Sequence, residues 1–247
     1  MKEQEFISGL IPDPKDERDI LLGNYLLKVA LPSEFSWDDD RVPILNQGKT
    51  PECVSHSAGT MKVFQELREH NKIYSFDCHE LYRKCKEEDG MPNQSGTFIR
   101  ICCKVLQQRG ILYKQKEKEL YFPISAYARE ENLEELKFAL VANGPFTVGV
   151  PVFSNWFTGS VIDILKDESI LGYHAICLYG YSDSLEQIFF RNSWSEDWGI
   201  KGKASLTYRY IEKYLVSAWS TIDIQDKFTA CFLNTEKIKN RICQIKE

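Results

Sequence analysis

The chain has 247 residues, 43% hydrophobic and 27% charged, which are the proportions of a folded domain and not of a disordered chain. With 31 Lys and Arg against 36 Asp and Glu the formal net charge is −5, and no basic block with interleaved aromatics occurs, so nucleic acid is not an expected partner. No stretch approaches the roughly 18 apolar residues of a membrane span, and no apolar run of signal-peptide length opens the chain; the expectation is a cytoplasmic protein, or one exported without a recognisable signal peptide, with no membrane partner.

The first 30 residues are irregular, with Pro12, Pro14 and the charged string from Asp13 to Asp19. A solvated tail is one reading. The other is a segment held on the body, because Phe6, Ile7, Leu10, Ile11 and the run Ile20-Leu21-Leu22 supply apolar anchors that a free tail does not need.

From Glu52 the texture changes. Val54, Ala58, Met61, Phe64 and Leu67 recur at steps of four and three, which predicts a helix with one apolar face, preceded by Pro51 and stopped at Asn71. A second helix is predicted over 98–108, closed by Gly110, and a third over 133–142, opened by Asn132 with Glu135 three residues on and ended by Asn143-Gly144-Pro145. After Pro145 short runs rich in β-branched and aromatic residues predict strands at 146–150, 173–181, 187–192, 203–210 and 218–224. Helices first and strands second argue an α+β fold of two lobes, and a groove between lobes is where sites tend to form.

Cys53 falls in the first turn of the first long helix, where unpaired N–H groups and the helix dipole favour a thiolate. The remaining question is a base, and the chain has only four histidines. His56 lies one turn along the same helix. His70 stands in a charged segment. His79, in Cys78-His79-Glu80-Leu81, lacks the second histidine of a zinc-protease helix, and without a paired Cys-x-x-Cys the set Cys78, His79, Cys85 is a weak metal candidate. No metal or other cofactor is expected. His174 opens an apolar strand, and 18 residues later Asn192 ends another, followed by Trp194 and Trp198. An Asn there can accept a hydrogen bond from imidazole and fix its tautomer, completing a nucleophile, base and orienter. Of the eight cysteines, Cys102, Cys103 and Cys177 lie in apolar runs, and free thiols are expected over a disulfide framework.

These residues resemble the papain-like cysteine peptidases, in a bacterial-type form with a short N-terminal segment. Gln47-Gly48 stands six residues ahead of Cys53, as the family's Gln-Gly pair does. His174-Ala175 followed by Tyr179-Gly180-Tyr181 resembles its "HA…VGYG" strand, and Asn192-Ser193-Trp194-Ser195-Glu196-Asp197-Trp198-Gly199 its "NSWG.GWG" block. The likeness runs from about residue 31 to 224, leaving 1–30 as an N-terminal segment and 225–247 as a C-terminal extension. It implies a helical N-terminal lobe, an antiparallel β-barrel-like C-terminal lobe and an active-site groove between them.

It also implies roles: Cys53 as nucleophile, His174 as base, Asn192 as its orienter under the cover of Trp194, and the Gln47 side chain with the Cys53 N–H as oxyanion donors. Substrate would lie along Gly96-Thr97, with Trp194 also counted among the substrate-binding residues, and the main selectivity pocket would be made by Phe98, Ile99, Gly149 and Ala175, with its floor near Trp219-Ser220. The implied partners are a peptide or protein substrate and a proteinaceous inhibitor. In the family an N-terminal segment crosses the groove and blocks it, which extends the packed reading of residues 1–30. Departures are Val54 and His56 at positions the family fills with aromatics, and Thr50 where its first disulfide has a cysteine. Two rival readings share the fold: a catalytically silent peptide-binding protein, and an acyl transferase or deamidase using the same triad.

Overall fold

The helix that begins beside Cys53 is the axis of the molecule. In the computed structural model, which describes residues 6–26, 30–166 and 168–223, it runs over Cys53–His70 (α1) and packs against two further helices, Cys78–Glu88 (α2) and Ile99–Gln108 (α3), and against a large sheet. Asn71 ends α1 in the left-handed region, with its N–H bonding the carbonyls of Glu66 and Leu67. The expected one-sided apolar face is a correction: every residue from Cys53 to Leu67 is buried. The polar positions are accommodated by partners. The Lys62 ammonium lies 3.0 Å from Glu66 and 2.6 Å from Asp223, and the Gln65 amide donates to Thr221 at 2.7 Å. A buried charge needs such pairing.

The sheet is built from Glu34–Ser36 (β1), Ala126–Arg129 (β4), Phe146–Val152 (β5), Val161–Ile162 (β6), Gly172–Ser182 (β7), Gln187–Arg191 (β8), Lys203–Thr207 (β9) and Ser217–Ile222 (β10); Ile111–Gln115 (β2) and Lys118–Phe122 (β3) form a separate hairpin. Its order is β4-β10-β5-β7-β8-β9-β6, with β1 also paired to β7, and all pairings are antiparallel except β6 with β9. Among the described residues this path stays open and does not close into a barrel. The chain is α+β, with the helices α1 to α3 forming one lobe and the sheet the other.

Local sequence explains several boundaries. Asn132 caps Leu133–Ala142 (α4), its side chain accepting from the Glu135 N–H at 3.0 Å, while the Glu135 carboxylate reaches back to Glu131 N–H at 2.8 Å. The run expected as one strand over 203–210 divides at Thr207, whose side chain caps a short helix, Tyr208–Tyr214 (α5). Phe98 is the extended residue before α3, not its first turn. The six described cysteines are free and buried. No helix of the described residues is long and apolar enough to cross a membrane. The expected extension over 225–247 lies outside the described residues.

Candidate active site

Two strands and one helix start bring the predicted residues together. β7 lies beside β5 on one edge and β8 on the other, so His174 near its start and Asn192 just after β8 end up adjacent. The His174 Nε2 lies 2.7 Å from Asn192 Oδ1. That amide oxygen also accepts from the Ser193 N–H at 2.8 Å, which identifies it as the oxygen and makes His174 Nε2 the protonated nitrogen. The other imidazole nitrogen, Nδ1, therefore carries the lone pair, and it is buried without a hydrogen-bond partner. Burial lowers the His174 pKa to about 4, the Asn192 bond opposing only part of the shift.

Cys53 is the first residue of α1 and is fully buried. Burial raises its thiol to about 12, offset in part by the backbone groups of Ala175, Val54 and Gly9. This reverses the expectation of a lowered pKa at a helix start: desolvation outweighs the dipole when the thiol has no water. The Ala175 contact also sets the sulfur against the residue after His174.

Around this pair the side chains are aromatic. The Trp194 ring stands 4.6 Å from the His174 ring, and Trp156 meets the imidazole edge-on at 5.9 Å. Trp194 thus lies against the histidine ring, where the resemblance implies a cover for the His174–Asn192 bond. Gln47 is buried; its Nε2 donates to the Thr50 carbonyl at 2.8 Å, and its Oε1 accepts from Ser193 Oγ at 2.6 Å. One of its two N–H bonds is thereby used, which leaves the second to point elsewhere.

The N-terminal segment lies across these residues. Phe6 packs on Trp194 at 5.5 Å and on His174 at 6.1 Å. Gly9 is so close to Cys53 that a Cβ there would stand 2.8 Å from the sulfur and 2.7 Å from the Pro51 carbonyl. Residues 9 to 11 pair in parallel with Thr97, the Thr97 N–H donating to Gly9 O at 3.1 Å and the Ile11 N–H to Thr97 O at 2.9 Å. Beside them Gly96 holds φ +82°, a conformation open to glycine, and its missing Cβ leaves room for the Gly9 carbonyl. The Leu10 side chain fills the space over Gly149, 2.5 Å from where a Cβ would be, with Ile99 and Ser217 on the same wall.

Asp13 continues the contact. Its carboxylate accepts from Ser217 Oγ and, at 2.9 Å, from Trp219 Nε1, and burial raises its pKa. Ser217 pairs with Gly149 across β10 and β5, and Trp219, where the resemblance implies the pocket floor, is held by Asp13. The roles of Phe6, Gly9, Leu10 and Asp13 went unassigned residue by residue, although the apolar anchors in the segment were the available signal. Cys78 and Cys85 are buried while the His79 side chain is exposed, so that weak metal set is not assembled.

A central helix starting at a buried cysteine, packed on a sheet that carries an adjacent His and Asn, defines the class as papain-like in fold. The family model for papain family cysteine proteases matches residues 31–218, and the chain belongs to that family; it is a cysteine peptidase, a hydrolase. An uncharacterized peptidase C1-like protein of Acanthamoeba polyphaga mimivirus is 22% identical over 219 residues, 74% of this chain and 70% of that one. Cathepsin B-like cysteine proteinase 3 of Ostertagia ostertagi is 31% identical over 104 residues, 40% of this chain and 59% of its own. Among solved structures, xylellain, a cysteine protease from Xylella fastidiosa, superposes with TM-score 0.78 at 21% identity, covering 88% of this chain and 96% of that one. A procathepsin B from Trypanosoma congolense gives TM-score 0.68 at 16% identity, covering 89% and 87%.

Proposed function

We propose that the chain hydrolyses peptide bonds through Cys53, His174 and Asn192. The observation that carries this is the His174 Nδ1: a buried lone pair without a partner, its tautomer set by Asn192, beside the cysteine that opens α1. His174 takes the thiol proton, and Cys53 Sγ forms a bond to the scissile carbonyl carbon. The oxyanion is held by the free Gln47 Nε2–H and the Cys53 N–H. As the C–N bond breaks, His174 returns the proton to the leaving amine. Water then attacks the thioester, giving its proton to His174, and the acid leaves as the thiol is restored. Trp194 keeps water from the His174–Asn192 bond.

Substrate occupies the path that residues 6–11 take along Gly96 and Thr97, with the pocket of Phe98, Ile99, Gly149 and Ala175 accepting an apolar side chain. Leu10 in that space supports an aliphatic choice. The same occupancy supports a second element: the segment from Phe6 to Asp13 holds the peptidase closed until displaced. The similar trypanosomal structure is itself a proform by name.

Labelling with an electrophilic peptide tests the reading. Labelling of Cys53, lost in Cys53→Ala, together with hydrolysis of peptide substrates is expected. A chain that binds peptides yet never reacts would be the silent alternative, and amide products formed with added amine would make it an acyl transferase.

A further inference from the structure

The first turn of α1 carries a second cluster that peptide hydrolysis does not use. Glu52, His56 and His79 each place one ligand atom within 4.8 Å of the others. We propose that these three residues bind one first-row divalent transition metal of the Zn2+ class, joining the loop before Cys53 to the start of α2.

The chemistry of each donor fits. Glu52 is buried, yet its Oε2 has no hydrogen-bond partner. It lies instead against His79 Nδ1, in direct contact, with the His56 ring next to it, Nδ1 3.9 Å away. His56 Nδ1 lies 2.9 Å from the Glu52 backbone carbonyl, an acceptor, so Nδ1 carries the proton and Nε2 the lone pair. A ring N–H donated to a backbone carbonyl is the support that orients a metal-bound histidine.

Placement fits as well. The two rings meet edge-on, 5.5 Å apart and at 80°. Zn–N and Zn–O bonds of about 2.0–2.1 Å put tetrahedral donors roughly 3.3 Å apart. The cluster must therefore tighten, and His79 can supply the movement because its side chain is 67% exposed. Surface cavities of about 420 and 430 Å³ adjoin His79, and each reaches another member of the cluster, Glu52 in one and His56 in the other. They give a cation a route in. A carboxylate and two imidazoles suit zinc and its neighbours over calcium or magnesium, which take oxygen ligands. Three protein donors leave a coordination position for water.

The test uses the full chain bearing Cys53→Ala, which removes the catalytic thiol as a competing ligand, kept reduced. Zinc chloride is titrated calorimetrically, and the Co2+ absorption spectrum reports the donor set. One equivalent is expected to bind with a rise in melting temperature, and His79→Ala, at a largely exposed side chain, should weaken binding at least about tenfold. Glu52→Gln should do the same. Failure of the Cys53→Ala chain to take up zinc or cobalt, or equal affinity after His79→Ala, would overturn the site. Neither result touches the peptidase reading, which rests on Cys53 and His174.

Discussion

His174 and His56 offer a comparison inside one molecule. Both imidazoles are buried, both are held neutral with pKa lowered to about 4, and both give one ring nitrogen to an oxygen acceptor. His174 sits on a strand, its acceptor is an amide side chain beyond the next strand, and aromatic rings wall it in. His56 sits inside a helix, its acceptor is the carbonyl four residues back, and it borders an open cavity with an acidic neighbour. Burial and tautomer therefore do not assign a role to a histidine. What surrounds each ring does so: Trp194, Trp156 and Phe6 around His174, and Glu52 with a second imidazole, His79, beside His56.

Replacing each ring sharpens this contrast most. His174→Ala should lower peptide hydrolysis by at least about 10⁴-fold, as should Cys53→Ala, since members of such a set act as a unit. His56→Ala should leave turnover largely intact in whatever fraction folds. Equal losses from the two histidines, measured as kcat on one substrate, would erase the distinction.

Next come the supporting side chains on the His174 side. Gln47→Ala should cost about 10²–10³ in rate, the usual loss of one oxyanion donor. Asn192→Ala should cost less than His174→Ala, within roughly the 10²–10⁴ that acid–base catalysis contributes. A rate unchanged by Gln47→Ala would place the oxyanion elsewhere.

A smaller effect concerns what covers only one of the two rings. Phe6 packs on His174, and the segment that holds it touches Cys53. Deleting residues 1–19 should speed electrophile labelling of Cys53 several-fold while the helical circular dichroism is kept. An unchanged labelling rate would leave the segment as an anchor without control over the site.

The smallest effect is shared, and it concerns stability against pH. Unfolded, each histidine takes up a proton near pH 6.5; folded, only near pH 4. Between those values the unfolded chain binds more protons, so stability falls as pH is lowered through this window. Each ring contributes up to about 1.4 kcal/mol per pH unit. Glu130, raised by burial to about 8, keeps its proton in the folded chain and contributes the opposite slope. The readout is therefore a difference: denaturant unfolding at several pH values, with chelator present, for wild type against His56→Ala and His174→Ala. Each variant should show a flatter acid slope, and parallel slopes would mean that the ring is protonated in the fold.

Much of this was legible in the sequence because it rests on local chemistry. The Asn132–Glu135 cap and the Asn71 stop each leave a mark within a few residues, and Cys53, His174 and Asn192 each stand in a short local motif. The omissions have physical reasons. α2 buries Cys78, Leu81 and Cys85 amid charged neighbours, so its apolar stripe is carried largely by cysteine. The β2–β3 turn is Lys116-Glu117, with φ +55° at Lys116, and has no Asn-Gly or Asp-Gly signal. Thr207 looks like a strand residue until its side chain caps the next helix. The cluster of Glu52, His56 and His79 depends on how α2 meets α1, which no spacing within either helix records.

The contact of Gly9 with Cys53 has a consequence for how the enzyme responds to concentration. The occupant of the groove belongs to the same chain and is held a few residues further on by Asp13, so its encounter with the site is unimolecular. A short tether of this kind presents its end at an effective concentration on the order of millimolar. Diluting the protein does not loosen it. An incoming peptide binds only the fraction of molecules whose groove is open, and its apparent affinity is reduced by that fraction. On the proposed reading, in which this segment blocks the groove, substrate supply and not the abundance of the enzyme decides when cutting begins.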